Sequence, residues 1–314
     1  MTSYRKLLFA SSFIVLAGCN SGSGSDSETT ITKQITKPAA DYNFNTEEIT
    51  QLVNHRKEYL NSIDLTFDGT VYNRVKFAHP VSDDIMVVKL ANNHDYNIDL
   101  MIDFSEDAQC IIYKEDMYKE VFDCGEINKP VPDDSTTFIQ STSAPSMHNV
   151  MLTYDNDKIE ELPMIGSTLL SVEYYSDNID IITSFAFKDF YNDILKGHED
   201  IIERDLNLSS LGLTTYQQLS KIVEDYYGQD MLIKFDNHIG GSMDDDINIY
   251  TGLMIRDNHM ATMVTRNGSV FSGGTDLFAA GEERYLEIAQ PVTNIERTKQ
   301  VGVHSWAEDD KTAK

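Results

Sequence analysis

The stretch Met231–Gly281, "MLIKFDNHIGGSMDDDINIYTGLMIRDNHMATMVTRNGSVFSGGTDLFAAG", decides the fold. Met231–Phe235 reads as a buried strand, and Gly240-Gly241 turns the chain after it. Asp244-Asp245-Asp246 then opens a helix running to about Asn258, because carboxylates in a first turn complement the positive end of the helix dipole. A second strand, "MATMVTR" (Met260–Arg266), leads to Ser272-Gly273-Gly274 at the head of another helix. Glycine costs a helix about 1 kcal/mol relative to alanine. Two of them in one first turn imply that the backbone there must pass close to something.

Working outward, a strand over Leu206–Leu211 and a helix over Thr215–Tyr227 precede this stretch, and the strand "QVGVHSW" (Gln300–Trp306) follows it. Repeated β-α units predict a largely parallel sheet with helices packed on it. Such sheets gather ligands at the C-terminal ends of their strands. Three spots fall there: Gly240-Gly241-Ser242, Ser272-Gly273-Gly274 and His304. A serine at an exposed first turn has unpaired N–H groups beside it and feels the helix dipole, and Gly273 and Gly274 are read as letting a substrate carbonyl approach that backbone without a Cβ in the way. A histidine in reach would activate its hydroxyl as a nucleophile. Plainer readings stand beside these: Ser272 as a helix N-cap, His304 as a hydrogen-bonded strand-end residue, and Gly240-Gly241 as a mere turn. His238 and His259 read as loop histidines, Asp244–Asp246 as a dipole complement rather than a cation site, and Trp306 as packing.

In order and spacing, "IKFDNHIGGS", "SGGTDLFAAG" and "VGVHSW" resemble the Clp-type serine peptidases and their crotonase-superfamily relatives, closest to an exported branch of that family. The resemblance covers roughly Asp205–Asp310. It implies ββα units with a mostly parallel sheet, peptide-bond hydrolysis, Ser272 as nucleophile, His304 as general base, and an oxyanion hole made by the N–H groups of Gly241 and Gly273. It also implies a peptide or protein substrate and a homo-oligomer. The family places an orienting aspartate and further helices downstream of the histidine, whereas this chain ends at Lys314, so a truncated version of that fold is expected. Asp276, Asp309 or Asp310 could then orient His304, or a Ser-His pair could work slowly. A Ser-Lys arrangement would use Lys299 or Lys234. The competing expectation is a catalytically inactive Clp-like protein serving as a binding or structural module.

The N-terminus sets the compartment. Arg5 and Lys6 precede the apolar run Leu7–Gly18, too short to span a membrane and shaped like a signal peptide. Leu16-Ala17-Gly18-Cys19 resembles the bacterial lipobox, which implies cleavage after residue 18 and lipidation of Cys19. Asn20 after the cysteine implies sorting to the outer membrane, facing the periplasm. Residues 19–44, rich in Ser, Gly and Thr, read as a flexible tether. Cys110 and Cys124, an even pair in an exported chain, are expected to form a disulfide worth about 3 kcal/mol, with two free thiols as the alternative. No metal or cofactor is expected, since two cysteines without a histidine pair do not supply four ligands.

Beyond the tether, Asn45 with Glu48 three residues later has the form of a capping box before a helix. From Ile63 to about Tyr175 short β-rich runs alternate apolar and polar residues between Asn, Asp and Gly. The expected organisation is therefore α+β: a signal peptide over 1–18, the tether over 19–44, a β-rich domain over 45–200 and an α/β domain over 201–314. With 25 Lys+Arg against 51 Asp+Glu the formal charge is −26. That balance excludes a nucleic-acid partner, whose phosphates need clustered cations.

Overall fold

The computed structural model describes residues 43–104, 109–114, 118–123, 136–141, 148–175, 178–197, 205–288, 299–303, 307–308 and 311–312. The expected signal peptide, Cys19 and residues 20–42 of the expected tether lie outside the described residues; Phe44, the last residue assigned to the tether, packs on Tyr250. Phe44–Lys314 is a single compact unit. It begins with helix α1 (Thr46–Lys57), whose cap is the one expected. The Asn45 side chain accepts from the backbone N–H of Glu47 and Glu48, and its amide lies 3.4 Å from the Glu48 carboxylate.

Two antiparallel sheets follow. The first runs β2-β1-β9-β8, from β1 (Ile63–Phe67), β2 (Thr70–Tyr72), β8 (Thr136–Ser141) and β9 (Val150–Asp155). The second runs in chain order through β3 (Arg74–Ser82), β4 (Ile85–Ala91), β5 (Asn97–Asp103), β6 (Gln109–Lys114) and β7 (Tyr118–Asp123). Strands β1 and β9 keep the two-residue alternation of a half-buried sheet, and their inner side chains, Ile63, Leu65 and Leu152, join Val88, Leu100 and Ile112 in one core. Strand β5 is buried at five successive positions. It loses the alternation because its second face is covered as well: Val87 and Met101 pack against Phe185, Phe187 and Tyr191. Cys110 is disulfide-bonded; Cys124, its expected partner, lies outside the described residues.

Short helices α2 (Asn156–Ile159) and α3 (Lys188–Phe190) lie before and after a hairpin of β10 (Thr168–Tyr175) and β11 (Asn178–Phe185). That hairpin does not belong to the antiparallel sheets. It starts a third sheet, β10-β11-β13-β15-β17, whose later strands β13 (Asp230–Phe235), β15 (Ala261–Val264) and β17 (Arg284–Leu286) run parallel to β11. The boundary expected at 200/201 therefore cuts through a continuous sheet. The pairing of Ile179–Ile182 with Met231–Lys234 is an interstrand contact that local patterning does not reveal.

A fourth sheet, wholly parallel, is made of β12 (Leu208–Leu211), β14 (His238–Ser242), β16 (Ser269–Phe271) and β18 (Val301–Gly302). The chain visits the third sheet, then the fourth, then a helix. So β11 leads through β12 to α4 (Leu213–Asp225), β13 through β14 to α5 (Asp245–Asp257), and β15 through β16 to α6 (Gly273–Ala280). Each unit is ββα, and Ile233, Phe235, Ile239, Val264, Val270, Ile255 and Leu277 fill the core they share. The Gly-Gly "turn" of the sequence reading is part of strand β14. It escapes a hydropathy reading because glycine carries no side chain to show a period. Among the described residues no helix is long and apolar enough to cross a membrane.

Candidate active site

β14 and β16 are neighbours in the fourth sheet, with His238 opposite Ser269 and Ile239 opposite Val270. Their C-terminal ends therefore bring Gly241 and Ser272 together. Ser272 joins β16 to α6 with φ 50° and ψ −127°, a left-handed conformation that only glycine adopts without cost. It occupies the N-cap position, yet its side chain makes no cap hydrogen bond. The plain N-cap reading is thereby removed. The backbone carbonyl of Ser272 takes the N–H of Thr275 at 2.8 Å and of Asp276 at 3.3 Å, which leaves the N–H groups of Gly273 and Gly274 at the open end of the helix. A hydroxyl held on a strained strand-to-helix turn is the arrangement that exposes a serine nucleophile.

The glycines serve packing more than the sequence reading supposed. A Cβ on Gly273 would stand 2.6 Å from Ser242 Cβ and 2.9 Å from both the Ser242 nitrogen and Asn248 Nδ2. One on Gly274 would stand 2.8 Å from Ile239 Cγ2. Both are needed for α6 to sit on β14, so substrate approach is not their first constraint. Gly241, at φ 154°, fits the original reason better: a Cβ there would lie 3.2 Å from Ser272 Cβ and 3.5 Å from its Oγ, directly over the hydroxyl. A depression of about 180 Å³ is lined by Leu208, His238, Gly240, Ser269 and Phe271, and neither Gly241 nor Ser272 is part of its lining. Its strand positions alternate with Ile239 and Val270, so it opens on the face of the fourth sheet away from the core that those two residues fill.

His304 lies outside the described residues, as do Asp309, Asp310 and Trp306. What leads to His304 is described. β18 pairs with β16, Val301 opposite Val270 and Gly302 opposite Phe271, and Thr275 Oγ1 donates to the Gly302 carbonyl at 2.7 Å. The same hydroxyl lies 3.1 Å from the Val270 carbonyl, so the first turn of α6 is tied to both strands.

Other residues weighed from the sequence fall as follows. Lys234 is ion-paired with Asp180 in the third sheet, and that hydrogen bond raises its pKa, which keeps it a cation rather than a base. Lys299 is exposed, with φ 51°. His238 sits in a strand, not a loop, with Nδ1 2.8 Å from Ser269 Oγ, whereas His259 is exposed beside Glu282 at 3.0 Å. Asp276 lies in the first turn of α6. The carboxyl of Asp245 is pushed up by desolvation and then by the charges of Asp276, Asp244 and Asp246, against a hydrogen bond with Ser242. Asp244 does more than complement a dipole. It is buried, its Oδ1 accepts from Ile247 N at 3.2 Å, and its Oδ2 takes Arg56 Nε at 2.6 Å. Sequence gave no sign of that pair, whose members are 188 positions apart. Among the described residues no group of His, Cys, Asp and Glu is placed to hold a metal ion.

The Ser272 geometry has a measurable cost. A non-glycine residue in so sparse a region stores about 1–3 kcal/mol, and glycine returns part of that as chain entropy. Ser272→Gly is therefore expected to stabilise the protein by about 1 kcal/mol, raising Tm by about 2 °C. A lower Tm on calorimetry would show that the turn is not strained.

Comparisons with protein-family models, with curated proteins and with solved structures gave no match to this chain.

Proposed function

We propose that this is a lipid-anchored protein of the bacterial outer membrane, facing the periplasm, with a Clp/crotonase-like serine-hydrolase site that cleaves peptide bonds slowly or with narrow specificity. The observation that carries the reading is Ser272: a hydroxyl that caps nothing, on a left-handed strand-to-helix turn, with Gly241 against it and the open N-terminus of α6 beside it. The ββα succession supports it further, being the order the resemblance implies. In this reading Ser272 Oγ attacks the scissile carbonyl while His304 takes its proton, and the N–H groups of Gly273 and Gly241 stabilise the oxygen that becomes negative. Each such donor contributes about 10²–10³ in rate.

A fluorophosphonate probe, which phosphonylates activated serines with loss of fluoride, tests this directly. The wild-type protein is expected to label at Ser272, and Ser272→Ala to remain unlabelled. Equal labelling of the two would end the enzyme reading and leave an anchored binding or structural module. Labelling of Ser272 with His304→Ala reduced at least 100-fold would assign the base.

A further inference from the structure

Two backbone donors serve one oxygen only if the junctions that carry them hold a fixed spacing, and what fixes it here depends on the serine-hydrolase reading above. Gly241 is the penultimate residue of β14, which leads to α5, and Gly273 is the first residue of α6, which follows β16. Asn248, in the first turns of α5, crosses the gap: its Nδ2 donates to the Gly273 carbonyl at 3.1 Å.

The side chain is a poor choice for stability alone. Asn248 is 4% exposed. Its Oδ1 is buried and has no hydrogen-bond partner among the described residues. A buried orphan acceptor costs about 1–3 kcal/mol, while a neutral hydrogen bond returns only about 1 kcal/mol. The Gly273 carbonyl does not depend on Asn248 either, since the i→i+4 ladder of α6 offers it a backbone N–H donor. An apolar residue at this position would remove the orphan and lose one modest bond. Departures of this kind from full polar satisfaction are expected where geometry matters more than stability.

We propose that Asn248 is a positioning residue. It holds the Ser272-Gly273-Gly274 turn against the end of β14, so that the N–H groups of Gly241 and Gly273 stay convergent, and it touches no substrate itself. The absent side chain of Gly273 fits the same role, because a Cβ there would press on Asn248 Nδ2 at 2.9 Å. The crossing also joins the two elements that supply the carboxylates Asp245 and Asp276, whose charges already interact.

The test separates position from stability. Wild type and Asn248→Leu are compared by Tm and by the second-order rate of fluorophosphonate modification of Ser272, measured well below either Tm. The expected result is a Tm unchanged or higher together with a rate lowered about 10- to 100-fold, the loss that a misplacement of about 1 Å produces. Should Asn248→Leu fail to fold, Asn248→Ala reads the same rate. A lower Tm with an unchanged rate would show a purely structural residue and overturn the proposal. If wild-type Ser272 labels and Asn248→Leu labels equally fast, this inference alone falls. If wild-type Ser272 does not label, the hydrolase reading falls and takes this one with it.

Discussion

Lowering the pH from 7.5 to 5 is expected to cost the wild-type protein about 2 kcal/mol of stability more than it costs His79→Phe. His79 lies in β3, buried, with its ring against Phe185 and Tyr191 at 4.9 and 5.8 Å between centroids. Its Nδ1 is 2.9 Å from Ser167 Oγ, which also meets Ser210 Oγ at 3.1 Å and the Ser210 N–H at 2.9 Å. Desolvation pushes its pKa down to about 3. Below pH 6.5 the unfolded chain takes up a proton at this position that the folded chain refuses until about pH 3. Stability from this residue is thus complete well above pH 6.5 and falls by about 1.4 kcal/mol per unit as the pH drops below it, the loss reaching about 4 kcal/mol at pH 3 and levelling off below that. Phenylalanine keeps the aromatic packing and cannot take up the proton, and Ser167 retains its partners on Ser210. Urea titrations of both proteins between pH 7.5 and 5 check the expectation. Parallel stability curves would mean that His79 is hydrated or protonated in the folded state.

Arg56→Ala is expected to destabilise the protein by about 3–5 kcal/mol, although the residue lies on the first helix, far from the candidate site in sequence. Its side chain is 13% exposed and that of Asp244 only 2%. Removing the guanidinium leaves a carboxylate buried without its counter-charge, which costs more than the pair itself contributes. The pair also borders the candidate site. Asp244 caps α5, and its backbone N–H binds Ser242 Oγ at 3.1 Å, next to Gly241. Besides this pair, Ile49 of α1 packs with Ile247 and Tyr250 of α5, the Tyr250 hydroxyl hydrogen-bonds the Glu48 carboxylate, and the ring of Phe44, ahead of α1, meets Tyr250 edge-on at 5.4 Å. Asp244→Asn keeps a capping oxygen and removes the charge. In that background Arg56→Ala is expected to cost only about 1 kcal/mol, and the double-mutant cycle measured by denaturant unfolding gives the coupling. Additive effects would show that the two groups do not interact as an ion pair.

The parts legible in the sequence were those set by neighbours along the chain. Asn45 and Glu48 marked a helix start, because a cap is made within a few residues. Helices α4 and α5 appear within about two residues of their expected ends, since their apolar spacing is local. Glycines around a lone serine marked a close approach to the backbone, which the sequence reading assigned to a substrate. Only the folded chain shows that Ser242 and Ile239 crowd it, because that contact joins β14 to α6.

Sequence alone therefore settled the mixed α/β character, the positions of most helices and strands, and the residues worth testing. Tertiary structure decided how strands divide between sheets, why β10 and β11 belong with β13, and which charges meet. Strand pairing, the bond between Arg56 and Asp244 and the burial of His79 depend on segments that the chain brings together only after it has folded. Apolar period and propensity act over a few residues. Hydrogen bonding and desolvation act over a few ångströms, whatever the separation along the chain.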